Sequence, residues 1–117
     1  MIRAGVGHSL NASGPEAAEQ ATTMAMGKAK LAKADLAFVF ATGGYQSEYT
    51  ELCEEVQRIS GCEHLIGCSG MGVLTSDGEF EGKSVVAALV LRSDQLSALS
   101  FCVSEDGVSP VGTAIRN

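Results

Sequence analysis

Three short stretches of this chain gather small and reactive side chains. "GVGHS" (5–9) holds His8 and Ser9, "ATGGYQ" (41–46) holds Tyr45, and "GCSGMG" (67–72) holds Cys68 and Ser69. A thiol or hydroxyl beside an imidazole is the raw material of nucleophilic catalysis. Glycines offer different chemistry: they let backbone amides close around a small ligand, one with a carboxylate or another anionic group above all. No third group that would orient His8 is evident, so no residue is assigned as catalytic. "GCSGM" departs from the esterase pattern G-x-S-x-G at Met71, and no helix is expected to follow it. The glycines there run G-x-x-G-x-G into turn residues, which fails the dinucleotide fingerprint. Cys53, Cys62, Cys68 and Cys102 contain no C-x-x-C pair, so no zinc site, other metal or cofactor is expected. They are read as reduced, with Cys53 and Cys102 as small apolar core residues. His64 is read as an edge or surface histidine.

These stretches need elements to position them. "IRAGVGHS" reads as a short strand ending in a glycine-bearing loop. Ser13 with Glu16 matches a capping box and Pro15 suits a first turn, so a helix is expected from Ser13 or Gly14 to about Ala32. Its apolar side is small, with alanine at 17, 18, 21, 25, 29 and 32. "DLAFVFATGGY" is a continuous apolar run, the pattern of a strand covered on both faces. Tyr49, Leu52, Cys53, Val56 and Ile59 form one helical stripe, and Gly61 marks its end. "EHLIGCS" gives a third strand. Asp77-Gly78 signals a hairpin or bulged loop over 73–80. "SVVAALVLR" and "LSALSFCV" read as two further strands joined by "SDQ", with a final loop over 104–117. The expectation is an α/β fold: a mixed β-sheet with a β-α-β-α-β start followed by an antiparallel hairpin, helices packed on the sheet, and 1–117 as one domain.

The topology puts the three stretches at the carboxyl ends of three parallel strands, on one edge of the sheet. Open α/β sheets hold ligands there. The expected ligand-binding residues are Gly7, His8, Ser9, Gly43, Gly44, Tyr45, Cys68, Ser69, Gly70 and Gly72. With a net charge of −6, scattered basic residues and no Trp, the chain is not expected to bind nucleic acid or an anionic membrane. Its apolar runs are too short to span a bilayer and its start lacks a signal pattern, so a cytoplasmic protein is expected.

"GVGHSLNASGPEAAEQA", "ADLAFVFATGGYQ", "HLIGCSGMGVLT" and "EGKSVVAALVL" resemble, in order and content, the N-terminal part of the FIST domain over about residues 2–103, with "LIGCS" the most specific piece. FIST domains are regarded as intracellular sensory modules whose proposed ligands are small molecules, amino acids among them. The resemblance implies a ligand-binding or signalling module. It carries over no catalytic residue, and it implies a second, C-terminal half beyond this chain. A missing half would favour self-association or a C-terminal partner domain. Three functions are therefore carried forward: a sensory module binding an amino acid or small organic acid, an assembly domain without a small ligand, and a hydrolase with Cys68 or Ser69 as nucleophile and His8 as base.

Overall fold

The structure, a computed structural model, describes residues 1–75 and 77–99. Residues 100–103 of the expected strand over 96–103, the final loop and Cys102 lie outside the described residues. The elements run β1 (Ile2–Ser9), α1 (Gly14–Ala29), β2 (Leu36–Thr42), a 3-10 helix (Gly43–Glu48), α2 (Tyr49–Ser60), β3 (His64–Gly70), β4 (Gly72–Thr75), β5 (Gly78–Glu81) and β6 (Val86–Ser93). The expected mixed α/β fold class holds, and the hairpin or bulged loop expected over 73–80 is the β4–β5 hairpin, at the Asp77-Gly78 signal.

The helix ends follow local chemistry. Ser13 Oγ accepts from the Glu16 N–H (3.4 Å), as a capping box requires. Asn11 Oδ1 takes the Ser13 N–H (2.9 Å), the place the box would give to the Glu16 side chain. Helix α1 stops at Ala29, three residues before the expected end. Lys30 turns left-handed (φ 56°), and the Leu31 N–H reaches back to the Met26 carbonyl, which closes the helix with a Schellman turn. Gly61 ends α2 in the same left-handed region (φ 66°).

The main sheet has the order β1-β6-β2-β3. β2 and β3 pair in parallel, and β6 runs antiparallel between β1 and β2. The strands β1, β2 and β3 thus point the same way, as expected, but β1 does not pair with β2. The expected hairpin between β6 and "LSALSFCV" has no room in the sheet, because both edges of β6 are occupied by β1 and β2. Both helices cover one face of the sheet. Gly5 and Gly7 of β1 lie under α1, and Val39 of β2 lies under α2. The core between the layers is built from alanines 17, 18, 21, 25 and 29 with Val39, Tyr45, Leu52, Val56 and Val90.

Thr42 fastens the end of β2 to the segment entering β6. Its Oγ1 accepts from the Val85 N–H (3.1 Å), and its own N–H donates to the Val85 carbonyl (3.2 Å), with both residues buried. Thr42→Val leaves the Val85 N–H without a partner and is expected to lower stability by about 1–3 kcal/mol, read from urea unfolding.

Candidate functional site

The pairing registers align the three strand ends in one row, Ser9–Val86–Ala41–Ser69. The shared edge expected from sequence is therefore present. The glycine stretches are not loops, however. Gly7, His8 and Ser9 lie inside β1, and Gly67 to Gly70 lie inside β3, where Met71 alone separates β3 from β4. Gly7 is bare because α1 rests on it: a Cβ there would fall inside the Ala21 carbonyl oxygen and 2.7 Å from the Ala25 nitrogen. Gly72 approaches the β5 backbone in the same manner, with a Cβ 2.8 Å from the Phe80 carbonyl oxygen.

Two further candidates belong to the framework. The Ser9 hydroxyl donates to Gln20 Oε1 (2.6 Å) and accepts from the Asn11 N–H (3.2 Å). The Tyr45 hydroxyl donates to the Asn11 carbonyl (2.6 Å), and its side chain is completely buried. Burial, reinforced by the charge on Glu48, pushes the Tyr45 phenol up. Gly43 and Gly44 begin the 3-10 helix and are exposed.

His8 points to the face of the sheet opposite the helices. Its ring lies 4.8 Å from that of Phe80, and its Nδ1 lies 3.7 Å from Asp77 Oδ2. Asp77 also accepts from Lys28 Nζ (2.7 Å), and that hydrogen bond is the main reason its carboxyl falls below the usual range. Cys68 shares the row His8–Ala87–Phe40–Cys68, with two strands between it and His8. At the usual strand spacing the two side chains are about 14 Å apart. That separation removes the base from the Cys68 hydrolase reading.

Cys68 and Ser69, with Gly70 and Gly72, are candidates that do border open space. A groove of about 310 Å³ runs along the helix side of β3, between Ser69, Gly67 and Leu65 on the strand and Tyr49, Leu52 and Cys53 on α2. No charged side chain lines it among the described residues. Gly67 keeps it open, since any side chain there would press on the Val39 backbone. Cys53 is half-buried, and burial pushes its thiol up, which keeps it protonated at neutral pH and a poor nucleophile. A second hollow of about 260 Å³, on the other face, is bordered by Phe40, Cys68, Ser69, Gly70, Gly72 and Val73. The stretch "GCSGMG" thus lies between two hollows on an edge strand. The α2 side of the groove was legible only as a helical stripe, because a space opened by a missing side chain on another element leaves no periodic signal.

Fold and site together define a small α/β module: a mixed sheet with helices on one face and an uncharged groove beside a glycine-rich edge strand. The FIST N domain family model matches residues 35–115, and the chain belongs to that family. FIST domains are regarded as sensory and signalling modules. The match begins at the residue before β2 and runs past the end expected from the resemblance, while β1 and α1 precede it. A search of curated proteins found no match.

Proposed function

We propose that this chain is a cytoplasmic sensory module that holds an amino acid or small organic acid against the outer flank of β3. The observation that carries this reading is the groove between α2 and an edge strand. Among the described residues, β3 pairs on one side only, with β2. Alternate residues of such an edge turn their N–H and C=O groups outward with no strand to receive them. A carboxylate accepts from the N–H and an ammonium donates to the C=O, so an α-amino acid meets both. Its side chain then has the uncharged groove beneath Leu52 and Leu65. Ser69 adds a hydroxyl at the groove's rim. Gly70 and Gly72 allow a ligand to pass close to the backbone at the end of β3, with Gly43 and Gly44 in the outer surroundings, while His8, two strands away on the opposite face, takes no part.

Thermal unfolding against a panel of amino acids and small organic acids tests this. A ligand at a hundredfold excess over its dissociation constant adds about 2.7 kcal/mol of stability. Cys53→Trp, which fills the groove from the α2 side, is expected to abolish the shift while the protein stays folded. A shift that survives Cys53→Trp places the ligand elsewhere. No shift with any compound, together with a mass that grows with concentration, supports the second reading, an assembly domain, which the free edge of β3 favours.

A further inference from the structure

We propose a second binding site at the other end of the sheet, where Arg3 and Arg92, with Lys30 beside them, take the phosphate group of a small phosphate monoester. The basic residues of this chain are far apart in sequence and outnumbered by acidic ones. Folding brings three of them together, from β1, from the close of α1 and from the end of β6, around one hollow of about 340 Å³. Arg3 stands near the start of β1 and Ser9 at its end, so at the usual strand rise the hollow lies about 20 Å from the edge that carries Ser9 and Ser69. Among the described residues Asp94 is the one carboxylate that borders it, and Asp94 pairs with the Met1 amine.

Arg3 stands directly opposite Arg92 across the β1–β6 ladder. Residues opposite one another in an antiparallel pair share a face, with their Cα atoms about 4.5–5.5 Å apart. Like charges so placed repel unless an anion lies between them. Arg3 alternates onto the same face as Gly5 and Gly7, which lie under α1, so both guanidiniums are on the helix side, just past the end of α1. Each is held to the turn that follows the helix. Arg3 Nη1 donates to the Lys30 carbonyl (3.3 Å), and Arg92 Nη1 donates to the Lys33 carbonyl (3.2 Å). The other N–H groups of each fork remain for a ligand. Among the described residues no carboxylate lies within ion-pair distance of Arg3, Lys30 or Arg92. Lys30 also occupies the left-handed position that closes α1 (φ 56°), where glycine is the easier residue, so a charge is kept there against the backbone's preference. Three cations against one carboxylate suit a dianion better than a singly charged acid, and a phosphate monoester is close to doubly charged at neutral pH. Guanidinium forks match its oxygens two at a time. Leu31, half-buried, and Ala32 border the hollow and offer apolar contact to the ester's carbon stem. Three cations around one hollow in a chain of net charge −6 do not make the long basic stripe that a nucleic acid needs.

The full chain is titrated at matched ionic strength with glycerol 3-phosphate, inorganic phosphate and sodium chloride, and the arginine Nε–H signals are followed by nuclear magnetic resonance. Glycerol 3-phosphate is expected to shift the Arg3 and Arg92 signals to saturation and to bind more tightly than inorganic phosphate, while chloride moves neither. Arg3→Gln and Arg92→Gln are each expected to weaken binding about tenfold or more. Both arginines also tie down the turn after α1, so Lys30→Gly is the variant that protects the fold: glycine relieves the left-handed backbone, and the affinity is still expected to fall. Lys83→Gln, which does not border the hollow, is expected to change nothing. Shifts that chloride reproduces overturn the proposal. So does an affinity that Arg92→Gln or Lys30→Gly leaves unchanged, or that Lys83→Gln lowers as much. Equal affinity for inorganic phosphate and the monoester overturns the assignment to an organic phosphate. Cys53→Trp separates this site from the α2 groove: phosphate binding is expected to survive it, and its loss there overturns the second site without touching the reading of the groove.

Discussion

Gly7→Val is expected to cost about 3 kcal/mol or more, enough to remove much of the stability of a domain this size. The reason is backbone against backbone. A side chain at Gly7 meets the Ala21 carbonyl and the Ala25 nitrogen of α1, and at Gly5 it meets the Ala25 carbonyl and the Ala29 nitrogen. Neither helix nor strand can turn a rotamer to make room. The helix would have to lift off the sheet, and the alanines at 17, 18, 21, 25 and 29 would lose the close contact that their small size permits. Gly43→Ala is the matched control. A Cβ there meets nothing within 4 Å, and its φ is not in the left-handed region, so the change is expected to stay within about 0.5 kcal/mol. Urea unfolding of both variants checks the contrast. Equal midpoints would mean that α1 does not seat on the glycines of β1.

Tyr45→Ala is expected to cost about 3–5 kcal/mol, the range for removing a buried aromatic side chain. The ring is fully buried and packs 3.4 Å from where a Gly14 Cβ would stand, so it wedges the 3-10 helix against the start of α1. Tyr45→Phe keeps the ring and removes only the bond to the Asn11 carbonyl, for about 1–2 kcal/mol. The two variants separate packing from hydrogen bonding. The phenol also sets a pH dependence. Burial raises its folded pKa above the ordinary value of about 10. The stabilising contribution is therefore complete below pH 10 and is lost as the pH climbs from there through the folded pKa. Tyr45→Phe is expected to flatten this alkaline limb of the stability profile. A limb of unchanged steepness would place the responsible group elsewhere.

Element order could be read from the sequence because each element has its own local signal. Ile2–Ser9 as a strand, Ser13 as a helix cap, Gly61 as a helix stop and Asp77-Gly78 as a hairpin turn all rest on residues within a few positions of one another. Strand order has no such local origin. The pattern of β6 says that both its faces are apolar, and nothing in it says that the strand enters between β1 and β2. The same gap explains the glycines. A glycine in a strand that admits a helix and a glycine in a ligand loop look alike until the opposing backbone is known. Gly7 turned out to serve packing, and Ser9 and Tyr45 serve internal hydrogen bonds. Cys68 and Ser69 border the groove, but its other wall, Leu52 and Cys53, comes from a helix whose stripe reads as ordinary core.

The position of β6 also governs when the fold can form during synthesis. Among the described residues β1 pairs with β6 alone, and Ile2 pairs with Ser93, so β1 waits for the last described strand. While the ribosome adds residues 10–85, at about 5–20 per second, the emerging chain can form its helices and the β2–β3 pair. Two apolar edges, one on β1 and one on β2, stay unclosed for several seconds. Only the arrival of Val86–Ser93 joins them, and it does so in one event, because the same strand satisfies both. Folding of this module is thus expected to be all-or-none and late on the nascent chain, with the interval before β6 emerges as the period when a chaperone has most to shield.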